Sequence, residues 1–440
     1  MKSRNAFRLA VVRLLILVAC AAHSPARAED AAESKSGKLQ FVLYLSRHGV
    51  RSPTKAPAQY DAYSAAPWPE WSVPPGYLTA HGYQLMKLFG AYDRAKLASD
   101  GLLAPAGCGD AARVSILADS DQRTRETGKA IGEGMFPGCP VNVKAKPEGT
   151  EDPLFHSLHA PVAESSQALA LAAVEGRIGG DPGNLTEVYR SQLATLEGIL
   201  AGCGHSAKPA HERTSLFDIP SSIQRGKGDH PLQFRGPLST ASSLSENLLL
   251  EYTEGMTGQA LGWGCLDEAN LRRVMELHTA ASIVEQRMPV IARMYASNLL
   301  GHIVNSLEQA ATGKPMAGAL GMPGDRVLFL VGHDTNLATV AGVLNLDWII
   351  DGRLNDTPPG GAMIFELWRS TAGTFQVRLF YTAQTLDQMR NASALTLNNP
   401  PPQVPLFVPG CSGPDMSCSL QGFAQTVSSS IDSSLVGAAR

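Results

Sequence analysis

Two short apolar runs, each followed by a histidine, constrain the fold of this chain more than any other feature of its sequence. The first run covers residues 41–45 and leads to His48, and the second covers residues 327–331 and leads to His333. Continuous apolar runs of this length are typical of buried strands in a parallel sheet. Because the carboxyl ends of parallel strands meet at one edge, we expect both histidines to lie where α/β folds build their sites.

The remaining patterns predict an α/β fold with a helical insertion. Further strands are predicted at residues 113–118, 141–145, 362–368 and 375–381, and helices at residues 79–98 and up to about residue 135. Between these regions, helical patterns dominate at residues 164–180, 185–201, 239–258 and 266–309, with a break near Pro289. We therefore predict a discontinuous α/β domain formed by residues 38–150 and 311–440, and a mainly α-helical domain at 151–310 inserted into it.

The first strand end carries the pattern Arg-His-Gly-x-Arg-x-Pro, formed by Arg47, His48, Gly49, Arg51 and Pro53. Gly49 permits a tight turn and a close approach of the backbone to a ligand. An arginine fork matches phosphate oxygens two bonds at a time, so a histidine between two arginines indicates phosphoryl transfer to a ring nitrogen. The alternative is a packed histidine between solvated arginines, but a chance match has odds of about one in ten thousand.

Residues 47–55 resemble the signature of the histidine acid phosphatase family, branch 2 of the histidine phosphatase superfamily, and are most similar to its bacterial periplasmic phytases. His333-Asp334, followed by Thr-Asn, is similar to the second motif of the family, and residues 356–361 also match the phytases. The resemblance covers most of the chain and is weakest between about 150 and 230. It implies a three-layer sandwich around a mostly parallel central sheet, of the phosphoglycerate-mutase type.

The resemblance also implies a role for each residue of the site. A phosphate monoester is anionic and repels nucleophiles, so its charge must be neutralised before attack. His48 is predicted to become a phosphohistidine, and Asp334 to give a proton to the leaving oxygen. The predicted ligands of the phosphate group are Arg47, Arg51, Thr54, Arg123 and His333.

Two of the predicted site residues have a simple structural alternative. Arg123 stands in an Arg-Thr pair at the point where the family places a phosphate-binding arginine, but it is also placed for a salt bridge with Asp119 or Asp121. Glu246 falls where the resembled phytases have a glutamate near the substrate, within a stretch similar to theirs at residues 239–246. The alternative for Glu246 is a solvated face of a helix.

The predicted activity is that of a phytase, a myo-inositol hexakisphosphate phosphohydrolase. A glucose-1-phosphatase or a broad sugar-phosphate phosphatase shares the chemistry and is the alternative. A phosphotransferase of the mutase type is disfavoured by the predicted export, and a non-catalytic phosphate-binding protein by the presence of both His48 and Asp334. The predicted partners are small phosphate monoesters, and the chain is predicted to be a monomer.

Neither a metal, a cofactor nor a nucleic acid is predicted as a ligand. The mechanism requires no metal, and the sequence offers no carboxylate cluster to hold one. His156 and His159 are three residues apart, but two ligands alone favour a surface pair. The formal net charge is −3, with no long run of Lys and Arg for a nucleic-acid footprint.

The first 28 residues are predicted to be a signal peptide that is removed from the mature protein. They combine a basic start with a short apolar stretch at residues 14–22 and an Ala-Arg-Ala site that ends at Ala28. Residues 17–20 also resemble a bacterial lipobox, so a lipid anchor on Cys20 stays open. No apolar run approaches the roughly 18 residues of a membrane span. The chain is therefore predicted to be periplasmic or secreted.

Six cysteines remain after Cys20 is set aside. An even number of cysteines in an exported chain predicts disulfide bonds. The resemblance to the phytases implies two of the pairs, and the third contains the two cysteines that are left. The predicted pairs are Cys108 with Cys139, Cys411 with Cys418, and Cys203 with Cys265.

Overall fold

The computed structural model of the chain describes residues 37–158, 162–204 and 212–437. The predicted signal peptide, the lipobox cysteine Cys20 and His159 lie outside this part of the chain. The strands, in chain order, are β1 (Lys38–Arg47), β2 (Val114–Ala118), β3 (Val143–Lys144), β4 (Ser222–Arg225), β5 (Leu232–Arg235), β6 (Val327–Gly332), β7 (Ile349–Ile350), β8 (Arg353–Leu354), β9 (Ala362–Arg369), β10 (Phe375–Thr382), β11 (Gln403–Leu406) and β12 (Ser417–Ser419).

Helices account for most of the remaining regular structure. In chain order they are α1 (Ala80–Ser99), α2 (Gln122–Met135), α3 (Glu164–Ile178), α4 (Gly183–Val188), α5 (Arg190–Leu200), α6 (Pro237–Thr253), α7 (Glu268–Glu285), α8 (Pro289–Thr312), α9 (Asp334–Leu344), α10 (Leu386–Arg390) and α11 (Leu420–Ser430).

The central sheet has the strand order β11-β10-β9-β1-β6-β2-β3, and β12 pairs with β10. The strands β1, β6, β2 and β3 are parallel to one another, whereas β9 runs antiparallel to β1. Leu45 of β1 lies opposite Leu330 of β6, so the two apolar runs that lead to the histidines are adjacent. The predicted α/β class and the mostly parallel sheet are confirmed.

Side chains of β1 alternate between two cores, which explains why its apolar run is continuous. Leu43 and Leu45 face a core that also contains side chains of α8, α9 and α11. Val42 and Tyr44 face the opposite core, which contains side chains of α1 and α2. The sheet therefore lies between two helical layers, and the predicted three-layer sandwich is confirmed.

The middle of the chain is mostly helical, as its periodicity predicts. Leu244 and Leu248 of α6 and Leu277 of α7 are fully buried in a third core, formed mainly by α3 and by α5 to α8. The predicted break in the long helical pattern lies between α7 and α8, where Pro289 takes the first helical position. The domain boundaries at residues 150 and 310 stay a prediction.

All six predicted cysteines form disulfide bonds in the predicted combination. The pairs are Cys108 with Cys139, Cys203 with Cys265, and Cys411 with Cys418. Within the described ranges, none of the helices is long and apolar enough to cross a membrane.

Candidate active site

The two histidines that follow β1 and β6 lie together at the carboxyl edge of the sheet, as predicted. Their ring centroids are 5.6 Å apart, and the backbone amide of His48 donates to the carbonyl of Gly332 over 3.0 Å. Asp119 follows β2, the next strand, and its amide donates to Val331 over 3.0 Å. Parallel pairing therefore brings together residues that are far apart in the sequence.

Residues near the other end of the chain hold the backbone of the first motif. The amide of Arg47 donates to the carbonyl of Gly361 over 2.9 Å, and the amide of Gly360 donates to the carbonyl of His48 over 2.9 Å. These bonds continue the pairing of β1 with β9 beyond the last residues of the sheet. The position of His48 thus depends on backbone contacts from both neighbouring strands.

Gly49 is required by packing. A Cβ atom at this position would lie 2.8 Å from Cγ of Met86 and 3.0 Å from the carbonyl oxygen of Gly82, both in α1. Its amide donates to the hydroxyl of Thr127 in α2 over 2.9 Å. The conformation of the motif is therefore set by contact with both helices of one layer.

His48 is buried and is held as a neutral imidazole with a defined tautomer. Its Nδ1 lies 2.8 Å from the carbonyl oxygen of Gly49, so Nδ1 donates and Nε2 carries the lone pair. Burial, followed by the positive charges of Arg123, Arg47 and Arg51, lowers the pKa of His48 well below its ordinary value. A lone pair on Nε2 is the form that a nucleophilic histidine needs.

Arg47, Arg51 and Arg123 surround this imidazole. The first two both form ion pairs with Oε1 of Glu246, and the distance from Nη2 of Arg51 is 3.1 Å. Each of the three arginines also has a buried Nε–H group that lacks a hydrogen-bond partner within the described residues. Buried donors are normally paired, so these groups are suited to receiving an anion.

Glu246 belongs to the site, and the alternative of a solvated helix face is wrong. Its side chain is only 15% exposed and contacts the arginine pair. Burial raises the pKa of Glu246, but the charges of Arg51 and Arg47 outweigh burial, so the pKa lies below its ordinary value. Glu246 is therefore a carboxylate in the free site.

Asp334 is the first residue of α9, next to His333. Its Oδ2 lies 3.5 Å from Nη2 of Arg47. Burial alone would raise the pKa of Asp334. The charges of Arg47, His278 and Arg51 together outweigh burial, so the pKa of Asp334 lies below its ordinary value. The helix N-terminus also favours a negative charge at this position. Asp334 is thus ionised in the free site.

Of the two roles weighed for Arg123, the salt bridge is present, and the binding of phosphate stays a prediction. Its Nη2 lies 2.5 Å from Oδ2 of Asp121 and 3.4 Å from Nδ1 of His333. The predicted salt bridge is present, and it holds the guanidinium at the site. Thr54 lies exposed at the rim, where its hydroxyl hydrogen-bonds with Tyr60.

Asp119 and His156 complete the site, although neither residue belongs to a motif that marks it in the sequence. Oδ2 of Asp119 accepts from Nε2 of His333 over 2.6 Å and from Nε2 of His156 over 2.7 Å. Asp119 follows a strand just as His333 does, which is a signal that could have found it. His156 lies in a loop with no such signal. Its side chain is 45% exposed, and the predicted surface pair stays a prediction because His159 lies outside the described residues.

Asp119, Asp121, His156 and His333 offer ligand atoms within 4.8 Å of one another, a spacing that is compatible with a metal ion. The two histidine nitrogens of this group are, however, already engaged in hydrogen bonds. Both imidazoles direct Nε2–H at one carboxylate oxygen, and a nitrogen that donates a proton cannot bind a metal at the same time. The guanidinium of Arg123 also faces the cluster. We interpret the cluster as a hydrogen-bond network.

The chain is similar to known phosphatases over most of its length. It is 36% identical over 399 residues to phytase AppA of Escherichia coli (strain K12), which covers 89% of this chain and 91% of the relative. It is 30% identical over 386 residues to glucose-1-phosphatase of Salmonella typhimurium, which covers 85% of this chain and 88% of the relative.

Solved structures show the same similarity. Hafnia alvei phytase in complex with tartrate superposes with a TM-score of 0.84 at 33% sequence identity, covering 92% of this chain and 99% of the other. The model of the histidine phosphatase superfamily (branch 2) matches residues 38–177 and 245–382, which include both histidine motifs and Glu246. From its two motifs, its fold and these similarities, the chain belongs to branch 2 of the histidine phosphatase superfamily.

Proposed function

We propose that the protein hydrolyses phosphate monoesters through a phosphohistidine on His48, and that phytate is its main substrate. The observation that carries the proposal is a neutral His48 with its lone pair on Nε2, surrounded by three arginines with unpaired buried Nε–H groups. A phosphoryl group binds to Arg47, Arg51, Arg123 and His333, and the hydroxyl of Thr54 adds a donor at the rim. Substrate phosphate competes with Glu246 for the first two arginines.

In the first step, Nε2 of His48 attacks phosphorus and the bond from phosphorus to the ester oxygen breaks. Asp334 gives its proton to the leaving oxygen. Asp334 is ionised in the free site, so the proton must arrive with the substrate. Bound phosphate places negative charge beside Arg47 and opposes the effect of that arginine on the pKa of Asp334. Acid conditions therefore favour the reactive complex.

In the second step, water attacks the phosphorus atom of the phosphohistidine. The bond between nitrogen and phosphorus breaks, and the carboxylate of Asp334 accepts the proton that water loses. Inorganic phosphate leaves, and His48 returns to its neutral form. Arg47, Arg51 and Arg123 hold the phosphoryl oxygens in both transition states.

The choice of substrate rests on the relatives. Phytases are found both among the similar sequences and among the similar structures, at 36% and 33% identity. A glucose-1-phosphatase at 30% identity makes glucose 1-phosphate the second candidate. Purified protein should show a higher kcat/KM on phytate than on glucose 1-phosphate, and the reverse ratio would favour the second candidate.

The covalent step has its own test. Wild-type protein that is mixed with labelled substrate and quenched should carry acid-labile, base-stable phosphate on His48. His48→Ala should lose turnover on every substrate, by roughly 10⁴-fold or more, because the nucleophile is removed. Label on a serine or aspartate, or normal turnover by the variant, would contradict the assignment.

We also propose that the protein is a monomer exported to the periplasm or beyond. Three disulfide bonds support export, because they persist in oxidising compartments. N-terminal sequencing of the mature protein would separate a free protein that begins at Glu29 from one with a lipid on Cys20. Light scattering would test the monomer.

A further inference from the structure

Two imidazoles share a single carboxylate oxygen behind the phosphate site. Nε2 of His333 and Nε2 of His156 both donate to Oδ2 of Asp119, over 2.6 and 2.7 Å, and the two ring centroids are 5.2 Å apart. Asp119 is fully buried, and its other oxygen accepts from the amide of Ser120 over 2.7 Å. The carboxylate of Asp119 thus accepts from two groups that can each become positive, and Oδ2 of Asp121 lies farther away, 3.6 Å from Nε2 of His333.

The two imidazoles differ in their access to solvent. The side chain of His156 is 45% exposed, against 10% for His333. His156 lines a pocket of about 160 Å³ together with Asp229, His230 and Tyr295. His333 lines the same pocket but is largely buried, so solvent has freer access to His156 than to His333.

The hydrogen bonds of His333 define the form that can bind phosphate. Its Nε2–H is committed to Asp119, and its Nδ1 lies 3.4 Å from Nη2 of Arg123. In neutral His333, Nδ1 therefore accepts from Nη2–H of Arg123 and has no N–H group to offer a phosphoryl oxygen. Only the imidazolium form has a second N–H group with which to donate. The negative charge of Asp119 stabilises this form.

We propose that His156 is a positioning residue for the phosphatase reaction. It competes with His333 for Asp119, so His333 stops binding phosphate at a lower pH than it would without His156. This inference rests on the proposed function and concerns the same site. The charged and titratable groups that face His156 are Asp119, Asp121, Arg123 and His333 on one side, and Asp229 and His230 across the pocket.

The order of protonation agrees with this competition. The hydrogen bond to Asp119 raises the pKa of His156, in spite of partial burial. Burial is the largest effect on His333, and the charges of Arg123 and His156 add to it, so its pKa is lowered in spite of Asp119. As pH falls, His156 becomes charged first and opposes the charge on His333. Removing His156 should allow His333 to take up its proton at a higher pH.

The experiment compares two substitutions at this position. His156→Asn keeps an N–H donor toward Asp119 but cannot become charged, and His156→Leu loses both the donor and the charge. The pH profile of kcat/KM on p-nitrophenyl phosphate and the affinity for inorganic phosphate at each pH are measured. In both variants, the alkaline limb of the two profiles should move upward by roughly one pH unit.

His230→Asn is the matched control, because His230 lines the same pocket, is 72% exposed and pairs with Asp229 rather than with Asp119. Its profiles should match those of the wild type. Wild-type profiles in His156→Asn would show that only the hydrogen bond matters, and an unmoved or lowered limb in both variants would also overturn the inference. If the wild type hydrolyses no phosphate ester, the proposed function fails instead.

Discussion

Asp334 and His48 have different roles in the reaction, and substrates with different leaving groups distinguish these roles. If Asp334 is the proton donor, Asp334→Asn should lose about 10²–10⁴-fold in the rate of phosphorylation by an alkyl or inositol phosphate. Those alkoxides need a proton to depart. The phenolate of p-nitrophenyl phosphate is already stable, so the loss on that substrate should be much smaller. Single-turnover phosphorylation with the two substrates measures the difference.

Glu246→Gln is the comparison for this experiment, because Glu246 is the other carboxylate on the arginine pair. It should affect both substrates alike, since Glu246 competes with every phosphate group and its own pKa lies below its ordinary value. If Asp334→Asn loses equally on both substrates, while the loss in Glu246→Gln depends on the leaving group, then Glu246 rather than Asp334 is the proton donor.

The residues that lie next to each other in sequence motifs could be predicted, and those placed by tertiary contacts could not. His48 and Asp334 stand at strand ends in recognisable motifs, and the structure brings them to one site. Asp119 has the same position after β2, but a lone aspartate carries no motif. His156 reaches Asp119 from a loop, and no local pattern encodes that contact.

At the scale of elements, helix α1 supports the first motif through a glycine. A Cβ atom on Gly82 would lie 2.1 Å from the carbonyl oxygen of Val50, within the motif. Gly82→Ala should push the motif away from α1 and lower kcat/KM by roughly ten- to a hundredfold, because small displacements at a catalytic group are costly. Steady-state kinetics, with circular dichroism as a check on folding, measures this loss.

Gly198→Ala in α5 is the control, since nothing lies within 4 Å of its added Cβ atom. It should leave the kinetics unchanged and stabilise the protein by about 0.5–1 kcal/mol, because alanine loses less backbone entropy in a helix. Wild-type activity in Gly82→Ala would show that the motif does not depend on this contact.

Long elements could be predicted from periodicity, whereas short ones could not. The strands β1, β6, β9 and β10 and the helix α1 lie within a few residues of their predicted bounds, because their apolar faces are fully buried. The hairpin of β4 and β5 has four residues in each strand, and most of these residues are partly or fully exposed. Such strands depend on their partners and have too little apolar pattern to be recognised.

At the scale of the whole molecule, buried carboxyl groups favour acid conditions. Burial raises the pKa of Asp93 to about 8 and that of Glu251 to about 8. The stability that these groups contribute is complete below the pKa of the unfolded chain and is lost as pH rises toward 8. Asp119 and Asp334 have lowered pKa values, so their contribution is lost as pH falls. The melting temperature should therefore be highest at roughly pH 4–5.

Asp93→Asn tests the alkaline side of this profile. The amide cannot ionise and still accepts from the hydroxyl of Tyr44. The melting temperature of the variant should exceed that of the wild type by several degrees at pH 8, and the two should agree within about 2 °C at pH 4. A wild-type melting temperature that rises steadily from pH 4 to pH 8 would refute the prediction.

The position of β1 in the sheet has a consequence for when the active site can form during synthesis of the chain. Of the strands that the structure describes, β1 is the first to leave the ribosome, yet it lies between β6 and β9. The backbone of Arg47 and His48 is held by Gly332, Gly360 and Gly361, which are translated about 300 residues later. A nascent chain therefore carries the nucleophile without the site around it. Catalysis begins only when synthesis is nearly complete. The growing chain therefore does not hydrolyse phosphate esters near the ribosome.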